Sequence, residues 1–258
     1  MNTTGNTILI TGGGSGIGRG LAEAFHKLGN HVIIAGRRKQ VLDETVAANP
    51  GMSSAVLDIE NAASIRAFAA KLIADFPALN AVIHNAGIMR PENLREQPED
   101  LTDAEAIITT NLLGPIRLTA ALLPHLEKQP HAAILTVTSG LAFVPLAMTP
   151  TYNATKAAVH SYTQALRYQL KGTKVQVIEL VPPYVQTELM GSKQASDPRA
   201  MPLADYLNET INLIKTQPDA TEILVERVNP LRFAEQNGPE KYAAFFKQFN
   251  DAMAADPH

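Results

Sequence analysis

The chain has 258 residues, 45% of them hydrophobic, with a formal net charge of -3 and no cysteine. That length and composition fit one large α/β domain with ample core, here taken as residues 1–258. The charge excludes the basic footprint of a nucleic-acid or anionic-membrane binder, and the missing cysteines exclude disulfides and thiolate metal sites.

Met1 to Gly5 lacks a basic leader, and Ile8 to Ile10 is too short for a signal core. No stretch reads as the roughly 18 apolar residues that span a bilayer, so the expected compartment is the cytoplasm. Thr7 to Thr11 is a short apolar run suited to a buried strand. It breaks into Gly12-Gly13-Gly14-Ser15-Gly16-Ile17-Gly18, and an apolar helical pattern follows to Leu28. Gly29-Asn30 stops that helix, and His31 to Ala35 is a second strand. Glycines between a first strand and its helix let backbone N–H groups approach a pyrophosphate at a helix N-terminus, where the dipole favours negative charge.

After the second strand the chain reads Ala35-Gly36-Arg37-Arg38-Lys39. An NAD site places a carboxylate here for the ribose 2′-hydroxyl, whereas an NADP site places a cation for the 2′-phosphate. The acid is missing and three cations follow, so the expected cofactor is NADP(H), with Arg37 the preferred contact and Arg38 the second. Helices and strands then alternate. Lys39 to Asn49 is helical, Ser54 to Leu57 a third strand, Ser64 to Phe76 an amphipathic helix capped by Asn61, and Ala81 to Ile83 a fourth strand.

Leu101 to Asn111 and Leu113 to Leu126 form two linked helices, with Asn111 at the discontinuity before Gly114-Pro115. Ala132 to Thr138 is a fifth strand that delivers Ser139 at its C-terminal end, where ligands bind in open α/β sheets. Thr149-Pro150 starts a long helix carrying Tyr152 and Lys156 four residues apart on one face. A Lys ammonium beside a phenol favours phenolate, pulling its pKa down from about 10 and giving a proton donor and acceptor usable near neutral pH.

The spacing Thr-Gly-x3-Gly-Ile-Gly together with Tyr-x3-Lys resembles the single-domain short-chain dehydrogenase/reductase family over nearly the whole chain. The resemblance implies an α/β, Rossmann-type doubly wound parallel sheet of six to seven strands with helices on both faces. It implies cofactor contacts from Gly12, Ser15, Gly16, Ile17 and Gly18 to phosphates and ribose, and from Asp58 and Ile59 to the adenine. Asn85, Ala86 and Gly87 match the family's Asn-Asn-Ala-Gly, in which the Asn bridges strands and Ala-Gly lies on the adenine ribose. His84 departs from that pattern and reads as structural. Pro182, Val185 and Thr187 fall in the segment that holds the nicotinamide carboxamide, where Pro183 replaces the usual Gly.

The implied catalytic set is Asn111, Ser139, Tyr152 and Lys156. Ser139 holds the substrate oxygen, Tyr152 passes the proton, Lys156 tunes it and binds the nicotinamide ribose, and Asn111 holds a relay water. Tyr152 also counts among the cofactor contacts. Residues 188–215 read as a substrate lid. Phe143, Val144, Leu146, Tyr184 and Met190 suggest an apolar pocket, and Arg90 at its mouth reads as a solvated side chain. The expected function is NADP(H)-dependent hydride transfer to a small-molecule carbonyl, or from a secondary alcohol. A non-catalytic NADP-binding sensor or scaffold and an epimerase or dehydratase are the alternatives.

Residues 220–258 read as a helical extension, with helix from Ala220 to Arg227 and again from Tyr242 to Met253, and no seventh strand. A chain without that strand lacks one common tetramer interface, so the expected assembly is a homodimer. The C-terminus and the run from Ser139 to Lys156 resemble one bacterial subgroup more closely, named after the oxidoreductase of the lipoteichoic-acid D-alanylation operon.

Overall fold

A computed structural model describes residues 1–96 and 101–254. The first half alternates strand and helix: β1 (Thr7–Thr11), α1 (Gly16–Lys27), β2 (His31–Gly36), α2 (Lys39–Ala48), β3 (Ser53–Val56), α3 (Ala62–Asp75) and β4 (Leu79–His84). Next come α4 (Thr102–Ile108), a π-helical turn (Thr109–Leu113), α5 (Gly114–Leu126), β5 (Ala132–Val137), α6 (Pro150–Gln169) and β6 (Val175–Val181). The chain ends with α7 (Ser192–Ser196), α8 (Leu203–Thr216), β7 (Glu222–Leu224), α9 (Asn229–Arg232) and α10 (Pro239–Ala254). Residues 255–258 of the expected C-terminal extension lie outside the described residues.

All seven strands run parallel in the order β3-β2-β1-β4-β5-β6-β7. Strand alternation sorts the apolar residues into two layers. Ile8, Ile10, Val32 and Ile34 face one side with Phe25 of α1 and Ile211 of α8. Leu9, Ile33, Val82 and Ile134 face the other with Leu72 of α3 and Leu118 of α5. Burial on both faces explains why these strands read as continuous apolar runs. Strand order reverses between β1 and β4, and that switch point opens a crevice at the strands' C-terminal ends.

Two sequence expectations are corrected here. Residues 222–224 form a strand, registering Leu180 with Ile223 and Val181 with Leu224, where a helix was expected over Ala220 to Arg227. Only Ile223 of the three is fully buried, so the local pattern is too short to show a period; pairing with the edge of β6 decides it. The seventh strand also removes the reason given above for choosing a dimer over a tetramer.

The second correction concerns Leu101 to Leu126. Instead of two helices separated by a break, α4 and α5 run on through the π turn, which absorbs one extra residue. The resulting helix, Thr102–Leu126, is long and apolar enough to cross a membrane by length and composition. In the fold it packs against α3 and α6, with Ile107, Leu118 and Leu122 fully buried.

Gly18 shows how tightly the first turn is built. A Cβ there would stand 2.3 Å from both the Gly12 carbonyl oxygen and Asn85 Nδ2, so α1 lies on the β1 turn with no space for a methyl group. Gly18→Ala should therefore lose roughly 1–3 kcal/mol in urea unfolding. Gly36→Ala, whose added carbon meets nothing nearer than Leu42 at 3.8 Å, should lose far less.

Candidate active site

The crevice is a cleft of about 870 Å³. At one end lie Gly12, Gly14, Ser15, Gly16 and Ile17, the turn between β1 and α1. Gly12 and Gly16 have φ of +67° and +52°, and a Cβ on Gly12 would come within 2.9 Å of Ala86 Cα and Asn85 Nδ2. The first N–H groups of the 12-residue α1 open into this space, and Ser15 makes no side-chain cap to them. Close backbone approach, a bare helix N-terminus and no acidic residue in the first turn together fit a phosphate group.

Arg37 and Arg38 both line this end. Arg38 Nη2 donates to Ser15 Oγ at 3.3 Å, beside the helix N-terminus, while Arg37 Nη1 donates to Glu60 Oε1 at 2.9 Å. Leu57 and Ile59 form an apolar wall. Asp58 is exposed and outside the lining; its Oδ1 accepts from the Glu60 amide at 3.1 Å and shapes the turn. Gly18 too is a packing residue and does not face the cleft.

Asn85 donates to the Thr11 and Gly12 carbonyl oxygens at 3.1 and 3.3 Å, tying β4 to β1 and presenting Ala86 and Gly87 on the cleft wall. His84 is buried one residue earlier. It shares a 2.9 Å hydrogen bond between Nε2 and Thr119 Oγ1, and its Nδ1 has no partner among the described residues. Burial holds its pKa down at about 4, so it is a neutral structural imidazole.

At the other end Ser139, Tyr152 and Lys156 share one wall, all less than 9% exposed. Ser139 leaves the end of β5 and caps a short 3₁₀ turn, its Oγ accepting from Leu141 N at 3.1 Å. Pro150 opens α6 and places Tyr152 in its first turn, where the phenol hydrogen-bonds Ser139. One turn on, Lys156 Nζ lies 5.5 Å from the Tyr152 ring centre and donates to the Val137 carbonyl at 2.7 Å. Burial pushes the Tyr152 phenol above its ordinary pKa, against a smaller downward effect of the Ser139 hydrogen bond. The sequence expectation of a lowered phenol is thus reversed in this structure. Burial also lowers Lys156, to about 8, with Glu179 acting upward. Chemically, this wall offers two hydroxyls and a cation to an oxygen seated beside them.

Asn111 lies outside the lining, 2% exposed within the π turn. Its Oδ1 accepts from Ile88 N and its Nδ2 donates to Ile88 O, both at 2.9 Å, with a further 3.3 Å bond to Thr155 Oγ1. It pins the loop after β4 to the helix behind Tyr152. The Arg90 side chain is partly solvent-exposed at the cleft mouth, where it pairs with Asp103.

Pro182, Pro183, Val185 and Thr187 line the cleft beyond β6. Sequence reasoning missed Gln194 of α7, which donates to Val185 O at 2.9 Å and Thr187 Oγ1 at 3.1 Å and fastens the 188–215 segment there. Leu146, Tyr184 and Met190 line the apolar end as expected, but Phe143 and Val144 pack behind it. Leu231, Phe249 and Met253 from the C-terminal segment complete that end. Asn250 fixes α10 there, accepting from Ala147 N at 2.6 Å and donating to Pro145 O at 3.1 Å. The one cue in sequence was the apolar side of the terminal helix, which reads equally as core.

Residues 6–198 match the family model described as short chain dehydrogenase. The chain belongs to the short-chain dehydrogenase family. It is 40% identical over 253 residues to the uncharacterized oxidoreductase DltE of Bacillus subtilis, covering 97% of this chain and 98% of that one. It superposes with a TM-score of 0.81 on a short chain dehydrogenase from Burkholderia cenocepacia in complex with NADP, at 23% identity over 96% of this chain and 98% of the other. A Burkholderia phymatum short chain dehydrogenase/reductase in complex with NAD gives 0.79 at 22% identity, covering 92% and 95%. This short-chain dehydrogenase is therefore an oxidoreductase built on a nicotinamide-cofactor fold.

His84 sets a pH dependence. Between its ordinary pKa of 6.5 and its buried value of about 4, the unfolded chain binds a proton that the folded chain refuses. Stability should therefore fall as pH drops through that window, by about 3 kcal/mol from this group when fully expressed. Urea unfolding at pH 7 and pH 4 should show a markedly smaller loss in His84→Asn than in the wild type.

Proposed function

We propose that this short-chain dehydrogenase is an NADP(H)-dependent oxidoreductase acting on a carbonyl or secondary alcohol, with Tyr152 as general acid and base. The buried Ser139–Tyr152–Lys156 constellation on one wall of the cleft carries the reading. When bound, the cofactor supplies or accepts the hydride at its nicotinamide. Ser139 Oγ orients the substrate oxygen, and Tyr152 hands its phenolic proton to that oxygen as negative charge develops. A phenol that resists ionisation in isolation is suited to be the donor in the reductive direction. Lys156 then stabilises the phenolate left behind, because an adjacent cation favours the charged form. Asn111 acts by holding Ile88 and Thr155 in register behind this pair, and in this reading it borders the route by which the proton is replaced.

The cofactor end supports NADP(H). Arg38 and Arg37 flank the turn at the α1 N-terminus, and no residue from Ala35 to Lys39 at the end of β2 is acidic. Gly12, Ser15, Gly16 and Ile17 would hold the phosphates, Ile59 the adenine face, Ala86 and Gly87 the ribose, and Pro182, Val185 and Thr187 the nicotinamide. The substrate end, lined by Leu146, Tyr184, Met190, Phe249 and Met253, suits a hydrophobic aldehyde, ketone or alcohol. One domain carries the whole site, with residues 188–215 as its lid and the C-terminal segment as its outer wall.

Two sets of variants test this. Tyr152→Phe should abolish NADPH-dependent carbonyl turnover while leaving NADPH affinity within a few-fold, by fluorescence titration; surviving turnover would refute the assignment. Tight binding with no turnover in the wild type would instead support a sensor. Arg37→Ala and Arg38→Ala should each weaken NADPH by roughly tenfold, as expected for a lost charge-assisted contact, with NADH little changed.

A further inference from the structure

Behind the catalytic wall lies a second group of charged side chains that the chemistry above does not use. Glu179, in the middle of β6, is completely buried. Isolated charges are not buried without partners, and Glu179 has them on several sides. Thr138, the residue before Ser139, donates its hydroxyl to Glu179 Oε1 at 2.6 Å. His160 of α6 places Nδ1 at 2.9 and 2.8 Å from the two carboxylate oxygens.

Tyr152, Lys156, His160 and Gln164 form one i, i+4 stripe along α6. Lys156 is thus one turn from His160, and its ammonium is bonded to Val137, the residue preceding Thr138. The two partners of Glu179 thus flank Lys156: Thr138 follows the residue whose carbonyl Lys156 binds, and His160 lies one turn further along α6. An apolar ring shields the arrangement: Phe143 meets His160 edge-on at 4.7 Å and carries the Arg232 guanidinium 4.5 Å above it.

The other charged groups near Glu179 are Glu222 on β7 and Arg232 on α9. Arg167, lower on α6, acts electrostatically on Glu222. Arg232 binds Glu222 through two hydrogen bonds of 2.7 and 3.0 Å. Arg232 is thus bonded to Glu222 and also feels the charge of Glu179. His160, Glu179 and Glu222 offer ligand atoms within 4.8 Å of one another, but Arg232 already supplies the positive charge that a cation would bring. Glu179 is the carboxylate whose negative charge bears on Lys156.

We propose that Glu179, its carboxylate held by Thr138 and His160, is a positioning residue that keeps Lys156 cationic beneath Tyr152. The role rests on the reading of Tyr152 and Lys156 given above. It requires no direct contact with substrate or cofactor. Removing a nearby opposite charge from a buried ammonium makes its proton easier to lose. Lys156, set at about 8 with Glu179 in place, would then be neutral through part of the neutral pH range.

The test is an NMR titration of full-length protein labelled with ε-13C-lysine, the Lys156 signal being assigned by its loss in Lys156→Met. In Glu179→Gln, Lys156 should lose its proton about tenfold more readily than in wild type, and the alkaline limb of kcat/KM should move to lower pH by the same amount. Glu179→Asp, which keeps the charge but withdraws it by one methylene, should fall between the two. A Lys156 titration identical in wild type and a folded Glu179→Gln would overturn the proposal. Should the Gln variant fail to fold, the Asp variant decides on the same criterion. The NMR readout needs no turnover, so it is separate from the Tyr152→Phe experiment; turnover surviving there refutes the catalytic reading while this titration still reports on the Glu179–Lys156 coupling.

Discussion

The hydrogen bond from Lys156 to the Val137 carbonyl is the constraint around which the Ser139–Tyr152 end of the cleft is arranged. It joins the long helix α6 to the end of β5, the strand that delivers Ser139. With that distance fixed at 2.7 Å, the helical period places Tyr152 one turn away and against Ser139. A fully wrapped ammonium beside a fully wrapped phenol is unfavourable for both charged forms, and the opposite pKa displacements of the two groups express that. Burial therefore sets the resting state of the pair, a neutral phenol with a loosely held lysine proton. Their mutual charge interaction becomes important only as the phenol ionises.

The same economy of geometry governs the glycine-turn end. Gly12, Gly18 and Asn85 are packed so closely that no added methyl group fits between them. That contact lays α1 over β1 with its N-terminus open to the cleft. Strand order reverses at this point, so the two ends of the site are joined by the strand termini of a single sheet. Arg37 and Arg38 differ in how they are held: one is engaged by Glu60, the other leans on Ser15 at the helix N-terminus. Arg38 thereby stands beside the first turn of α1, while Arg37 is tied to the turn after β3.

Much of this was legible in residue patterns because it depends on short-range rules. Strand and helix alternation, the glycine turn, Pro150 at the start of α6 and the Tyr152–Lys156 spacing are local features, and the fold repeats them faithfully. What escaped depends on contacts distant in sequence. Residues 222–224 become a strand only because β6 offers an open edge. The packing of Gly18 against the Gly12 carbonyl and Asn85 joins the first turn to a residue distant in the chain, and no local pattern shows it. The turn that Asp58 closes onto the Glu60 amide is likewise seen only in the folded chain. Phe249 and Met253 sit about a hundred residues from the loop they face, and no spacing in the chain connects them. At Asn111 a break was expected where the helix runs on: a π turn keeps its backbone hydrogen bonds with one residue added, and no side-chain pattern distinguishes the two.

Hydride transfer leaves a direct isotopic trace in the product. NADPH carrying deuterium at both C4 positions of the nicotinamide would be incubated with the pure protein and a panel of hydrophobic aldehydes and ketones, and the products analysed by mass spectrometry and NMR. The account predicts an alcohol carrying one deuterium on the former carbonyl carbon. Binding of the labelled cofactor with no deuterium entering any alcohol across the panel would contradict it.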